Sequence, residues 1–516
     1  MYRRILLFSF FAASASSLQA QVPEDALRYS FFSQNGTARN LAIGGAMGSL
    51  GGDISATFVN PAGLGNYRTG EFVFSGGWNL QRNRTDFRET QTIGNRGAFG
   101  MGPIGLVFGT AERYRPNRSK AFSLAFTQQA NFNNQYNYRG YNNFSSFAET
   151  FSEEISNSGQ SIDQVLNNSQ FAFTSAPALY TYLVDTFRID GTLAVKALPE
   201  FVLESGGALL QEKQVRTRGG LYELALGYAV NNSDKFQFGG SIGIPILSYR
   251  NVTEFRETDT SSNINNGFGY FAYTDDFRTT GAGLNARIGV IYRPQEHIRF
   301  GAAIHTPTYM FAMKDRRTTN LETDTEDYNG QASVGSNFFT NGQAGESNYT
   351  MLTPWRFLVS GSYVFREVED VRKQKAFLTA DIEYVHHRGS SFYSANEEPT
   401  TDERAYFKSL NQVIRNEYRG NFNFRVGGEL KFNVWMTRLG FAYQTNPYRN
   451  NALKASRALV SGGVGYRNKG FFADLTYVHQ MNRDVNFPYR LQDKANTFAD
   501  QRFRVGQVMA TLGVKF

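Results

Sequence analysis

The sequence predicts an all-β protein: a transmembrane antiparallel β-barrel of about fourteen strands, with a small N-terminal hatch plugging its lumen. Three observations predict it. Apolar residues alternate with polar ones over runs longer than the strands of soluble sandwiches. The connections between those runs are alternately short and long. Residues 21–70, ahead of the first run, neither alternate nor carry much charge.

Composition sets the bounds. The chain has 516 residues, 15% aromatic and 19% charged, with 50 Gly, 13 Pro and no Cys. Lacking Cys, it has no disulfide scaffold, thiolate metal site or Cys nucleophile. Mean hydropathy is −0.41, and beyond the N-terminus no apolar run reaches the length of a membrane-spanning helix. The formal charge of +8 is scattered rather than clustered, which argues against nucleic-acid binding.

Residues 1–20 read as a signal peptide, with Arg3 and Arg4 before an apolar stretch from Ile5 to Ala15 and a cleavage site after Ala20. Residues 21–70 form the predicted hatch. Asn40 to Gly52 is rich in Gly and small residues, and Asp53 caps a short helical turn that must end near Pro61. So short a segment cannot build its own core, so it is expected inside the barrel.

Residues 71–516 make the barrel. Phe422, Phe424, Val426, Leu430 and Phe432 share one face against Asn423, Arg425, Gly427, Glu429 and Lys431 on the other. Residues 282–292 and 457–467 alternate in the same way. Strands are expected over 71–87, 97–110, 119–138, 208–230, 234–257, 274–293, 297–322, 349–366, 375–390, 419–433, 434–446, 456–468, 470–485 and 500–516. Short turns fall at 111–118, 231–233, 294–296, 367–374, 433/434 and 469. Longer polar loops fall at 88–96, 139–207, 258–273, 323–348, 391–418, 447–455 and 486–499; the longest, 139–207, 323–348 and 391–418, are expected at the extracellular end. Trp355 and Trp435 sit at strand ends, where an aromatic girdle places them. The last strand ends on Phe516, similar to the signal that outer-membrane assembly machinery reads.

Gly44-Gly45-Ala46, Gly52-Asp53-Ile54-Ser55-Ala56 and Asn60-Pro61-Ala62-Gly63-Leu64 resemble the hatch of the FadL/TodX family of outer-membrane transporters for hydrophobic compounds. Within that family the flavour is the Bacteroidetes-type branch, some of whose members are labelled hemin receptors. Arg438 to Tyr443 with Pro447, and Gly463 to Tyr466 leading to Asp474 and Tyr477, look like the family's last strands. The resemblance implies a fourteen-stranded barrel in the bacterial outer membrane, among its lipid and lipopolysaccharide. Ligand is captured near the outer loops, shifts the hatch (Asn60, Pro61, Ala62 and Gly63) and leaves through a gap in the wall. Long insertions at 139–207 and 391–418 depart from the shorter members.

Phe144 to Leu166 and Ala176 to Phe187 could form amphipathic helices over the mouth. Pro245 cannot donate to a ladder and marks a candidate wall kink or opening. The lumen leans basic: Arg287, Arg299, Arg425, Arg438, Arg457 and Arg467 either pair with Asp381, Glu383, Glu429 and Asp474 or draw an anionic head group through the bore.

Three sequence patterns mislead. Gly100 to Gly105 spells GxGxxG without a following helix, and Gly239 to Gly243 spells GxSxG in mid-strand around Ser241. His386 and His387 are adjacent on a strand and point to opposite faces, so they do not easily share a metal; His305, His386, His387 and His479 are each a formal haem ligand but in the pattern of structural residues. The reading is therefore a non-enzymatic channel for passive uptake of hydrophobic or amphipathic molecules such as long-chain fatty acids, with no cofactor and no metal. The alternatives are a barrel serving secretion or surface interaction, or a lipid hydrolase relying on an exposed Ser–His pair.

Overall fold

The computed structural model describes residues 23–261, 263, 265–365, 375–451 and 453–516; the signal peptide at 1–20 and the turn at 367–374 lie outside these. Period-two alternation becomes a closed antiparallel barrel of fourteen staves. In order they are β1 (Gly70–Phe87), β2 (Thr90–Met101) continued by β3 (Ile104–Glu112), and β4 (Arg115–Asn131) continued by β5 (Asn134–Asn142). A separate hairpin, β6 (Val184–Ile189) and β7 (Thr192–Ala197), precedes β8 (Leu209–Asn232), β9 (Phe236–Asp259) and β10 (Tyr270–Gln295). Two staves follow in pieces: β11 (Ile298–His305) runs on into β12 (Tyr309–Asp324), and after the flap β13 (Gln331–Gly335), β14 (Gly345–Leu352) runs on into β15 (Arg356–Phe365). β16 (Ala376–Val385) is continued by β17 (Ser391–Ser394). Then come β18 (Asn421–Phe432), β19 (Trp435–Gln444), β20 (Arg457–Asn468), β21 (Phe471–Asn486) and β22 (Ala499–Lys515). β22 closes on β1, from Glu71↔Lys515 to Asp86↔Asp500. Closure pairs the first and last staves, as hydrocarbon favours because it offers an unpaired N–H or C=O no partner.

Side-chain placement follows the alternation. On β18, Phe422, Phe424, Val426, Leu430 and Phe432 face outward and are exposed, while Asn423, Arg425 and Glu429 between them are buried. On β9 the outward set is Phe236, Phe238, Ile242, Ile244 and Ile246. An exposed apolar belt around a polar interior inverts a soluble protein, and its natural solvent is lipid. Trp78, Trp355 and Trp435 also face outward.

One connection differs from expectation. The loop expected at 88–96 is a two-residue hairpin turn, Arg88–Glu89, and β2 begins at Thr90. Both turn residues take left-handed backbone angles (φ 43° and 63°). Such turns usually declare themselves by Asn-Gly or Asp-Gly, so Arg-Glu hid this one.

Residues 23–69 lie inside the barrel. They carry α1 (Pro23–Arg28), α2 (Ala38–Ala42), α3 (Ala56–Val59) and a 3-10 turn, Pro61–Asn66. Thr37 caps α2, its side chain accepting from Asn40 N. Asp53 bridges the segment, Oδ1 accepting from Ser55 N (2.9 Å) and Oδ2 from the Thr37 hydroxyl (2.8 Å). α3 stops at Asn60, held extended (φ −140°, ψ 100°) by the proline that follows it.

Over the mouth, residues 143–208 add α4 (Glu149–Ser158), α5 (Ile162–Leu166), α6 (Ser175–Tyr180), the β6–β7 hairpin and α7 (Leu198–Glu204). Their core joins Phe151, Ile155, Leu183 and Val202 to Phe255, Phe271 and Leu321 from the tops of β9, β10 and β12. A longer helix, α8 (Thr401–Glu417), is capped by a Thr400/Glu403 box and buries Leu410 and Ile414 against α1.

Candidate functional site

The floor is built first. Asn60 is its central contact: Oδ1 accepts from Ala62 N (3.1 Å), capping the 3-10 turn, while Nδ2 donates to Gly48 O (2.6 Å) and Val290 O (3.2 Å). Pro61, Ala62 and Gly63 are buried beneath it. The barrel wall meets this segment backbone to backbone. A Cβ on Gly289 would lie 1.9 Å from Asn60 Oδ1, and one on Gly440 would lie 2.1 Å from Gly44 N. Gly239, Gly301 and Gly427 stand against the segment in the same way. These glycines stand in lumen phase on five strands, but nothing in a strand alone says what presses on them.

The lumen arginines divide into three groups. Arg287 grips Glu223 with both nitrogens (2.6 and 2.9 Å), and Arg438 binds Glu429 (2.5 Å) and Asp474 (2.6 Å). Arg425 pairs with Glu383, which also accepts from Asn423 (2.8 Å). Arg299 reaches the inner segment at Leu50 O (3.1 Å), and Arg467 lies over the Phe472 ring. Arg457 stands apart: its guanidinium lies 4.1 Å from the Phe31 ring centre and makes no ion pair among the described residues. It lines the main cavity.

That cavity, about 490 Å³, lies between the N-terminal segment and the inner faces of β1, β4, β5, β21 and β22. A smaller one of about 70 Å³ lies beside it, lined by Phe58, Pro245, Arg287 and His305 among others. Beside the main cavity the wall changes character. β3 and β4 pair continuously from Ile104↔Phe126 to Thr110↔Lys120, but above them β2 and β5 share no ladder. Gly102 and Pro103 interrupt the one stave, and Phe132 and Asn133 the other. Side chains replace the missing bonds: Asn131 Nδ2 donates to Phe99 O (2.9 Å), Gln81 Nε2 to Asn133 O (2.6 Å), and Met101 N to Gln128 Oε1 (3.1 Å). Phe99 on β2 faces outward beside this seam, opposite Trp78 on β1.

Pro245 is placed elsewhere. It faces inward in uninterrupted β9, in register with Glu223, and pairing to β10 lapses between Ile246↔Ala282 and Gly243↔Asn285. The ladder thus opens locally toward β10, while β8 continues to pair with the strand on its other side.

The mouth is bound by polar contacts as well as by its core. The Tyr489 hydroxyl accepts from Gln211 Nε2 (2.8 Å) and Asn142 Nδ2 (2.9 Å) and donates to Ser145 O (3.0 Å). Burial pushes this phenol well above the usual tyrosine range, which keeps it a neutral donor.

The histidines are dispersed. His305 Nε2 meets Val59 O (2.8 Å), His386 meets the Tyr384 hydroxyl (3.2 Å), His479 meets the Tyr477 hydroxyl (3.2 Å), and His387 packs edge-on to Phe31. Among the described residues, no three His, Asp or Glu side chains converge as metal ligands. The Ser241 hydroxyl donates to Thr57 O (2.8 Å), tying wall to inner segment rather than meeting a histidine.

No family model matches the chain, and no curated protein matches it in sequence. Solved structures do. A FadL homologue from Pseudomonas aeruginosa is 13% identical, the match covering 93% of this chain and 99% of that one at a TM-score of 0.52. The toluene transporter TodX of P. putida is 12% identical over 94% of this chain and 99% of that one, again at 0.52. A deltaS2 mutant of the TodX monoaromatic hydrocarbon channel matches over 94% of this chain and 100% of that one at 13% identity and a TM-score of 0.53. The chain has the fold of these channels.

Proposed function

We propose that this chain is a passive outer-membrane channel for hydrophobic or amphipathic small molecules, long-chain fatty acids among them. The observation that carries the reading is the ladderless seam between β2 and β5 beside the main cavity. A molecule held there has a floor packed backbone to backbone below it and side-chain bonds alone between it and the membrane. Those bonds exchange with water or ligand at small net cost, whereas opening a paired ladder exposes backbone groups to hydrocarbon. Ligand enters under the mouth helices, rests in the cavity and leaves sideways between Gly102–Pro103 and Phe132–Asn133. The hatch segment, with Asn60 at its centre, blocks the axial route. Fold likeness to the toluene transporter and the FadL homologue supports this reading.

The test is uptake by a bacterial host lacking its own channels of this kind. Expression of the full chain restores uptake of radiolabelled oleate or toluene; restoration of neither overturns the reading. Gly100→Phe, which places a ring at the seam, reduces that uptake several-fold while the barrel stays resistant to SDS before heating. Unchanged uptake would mean the exit lies elsewhere. Phe516, whose backbone exchanges two hydrogen bonds with Gly70, is proposed as the contact with the assembly machinery. Its deletion lowers the amount of folded barrel in outer-membrane fractions, without matching loss of synthesis.

A further inference from the structure

The chemistry of the main cavity narrows the ligand class beyond "hydrophobic", and this step rests on the channel reading above. Fifteen of the thirty-seven residues lining it are Asn or Gln, contributed by β1, β4, β5, β21, β22 and the inner segment. A polar lumen is ordinary in a membrane barrel. Here three ion-paired clusters, around Arg287, Arg425 and Arg438, lie outside the cavity, whose lining has five charged residues (Glu24, Arg28, Arg457, Arg483 and Asp484) against fifteen carboxamides. The apolar part of the lining is largely aromatic, with Phe31, Phe132, Tyr136, Tyr249 and Phe503. Two of the amides are themselves buried and incompletely satisfied: among the described residues Asn79 Oδ1 and Gln501 Nε2 make no close hydrogen bond, Gln501 standing beside the Tyr136 phenol.

A carboxamide offers both donors and an acceptor, and the group that matches both is the hydroxyl. A carboxylate only accepts, and a hydrocarbon does neither. Filling this space with bare hydrocarbon strips water from the amides and leaves them unpaired, the situation in which a site built for hydroxyls rejects the analogue lacking them. Aromatic faces beside the amides suit the C–H faces of a saccharide-like ring. Arg457, held over Phe31 and sharing the cavity with Asp484, adds a donor for a ring oxygen. A volume of about 490 Å³ holds such a head with a short tail.

We infer that the cavity selects amphiphiles with a hydroxyl-rich, saccharide-like head over plain hydrocarbons and simple fatty acids. The test uses the full chain in lipid nanodiscs and equilibrium dialysis of radiolabelled octyl β-D-glucoside, octanoate and octan-1-ol, all below micellar concentration, with empty nanodiscs subtracted. The three probes share a tail and differ in the head. The glucoside binds about tenfold tighter than octanol, the value of one well-made hydrogen bond to a group otherwise left unpaired, and tighter than octanoate. The double variant Asn79→Leu/Gln501→Leu loses that preference and retains octanol binding, its barrel still SDS-resistant before heating. Equal or tighter binding of octanol or octanoate overturns the inference, as does a preference that survives the double variant. If the glucoside shows no preference while oleate or toluene uptake is intact, only this inference falls; if uptake is absent, the channel reading falls first.

Discussion

Gly289→Val unplugs the barrel. A Cβ at this position lies 1.9 Å from Asn60 Oδ1, and the atom it strikes is anchored: Asn60 caps the 3-10 turn and donates to Gly48 O and Val290 O. Moving Asn60 frees the turn and, with it, the seam between Gly48 and the wall. The strand itself tolerates valine, a good β-former. The expected result is a folded, SDS-resistant barrel whose single-channel conductance in planar bilayers rises at least about tenfold, because the obstacle inside the bore is lost rather than the bore. Asn60→Ala, which keeps Gly289 but removes the cap and both donations, moves conductance in the same direction by less. A Gly289→Val barrel with the parent's low conductance would show that the inner segment is not what closes the bore.

Arg438→Met strongly destabilises the folded barrel. The Arg438 guanidinium is fully buried and binds Glu429 and Asp474 at once. Removing it strands Asp474 and leaves Glu429 only the longer contact to Arg39 (3.7 Å), a loss of about 3–5 kcal/mol when one partner of a buried pair is deleted. The measurement is the temperature at which the barrel loses its SDS-resistant form, compared between parent and variant at equal expression. The second arm distinguishes lost charge balance from lost packing: Arg438→Met/Glu429→Gln/Asp474→Asn removes all three charges at nearly constant volume. It recovers most of the unfolding temperature. Failure of the triple variant to recover would mean that the guanidinium's packing, and not the stranded charges, matters here.

The two variants separate what was legible from what was not. Arg438, Glu429 and Asp474 were readable as lumen-facing charges because period-two alternation assigns each residue a face, and burial of unpaired charge demands partners. Their register was not readable: Glu429↔Arg438 are opposed across β18 and β19, and Asp474 reaches Arg438 from β21 with β20 between them. Asn60, Pro61 and Ala62 stood out as a motif, yet their partner Gly289 did not, since it lies 229 positions along the chain and looks like any lumen glycine. The six arginines singled out together serve different ends, and only Arg457 opens onto the main cavity without an ion pair. Pro245 seemed the natural weak point of the wall. The ladder to β10 does lapse beside it, and a longer unladdered stretch lies where Gly102–Pro103 and Phe132–Asn133 face one another, a coincidence of two staves that neither announces alone.

Alternation by itself determined the class of fold, the number of staves, the outward apolar belt and the end at which long loops gather. It could do so because a side chain in a strand has only two faces, and lipid and lumen make opposite demands on them. Tertiary structure alone decided which arginine each carboxylate holds, where the inner segment presses on the wall, and which pair of neighbouring staves goes unladdered. Those outcomes depend on stagger between strands and on contacts hundreds of residues apart, and a periodicity of two carries no information about either.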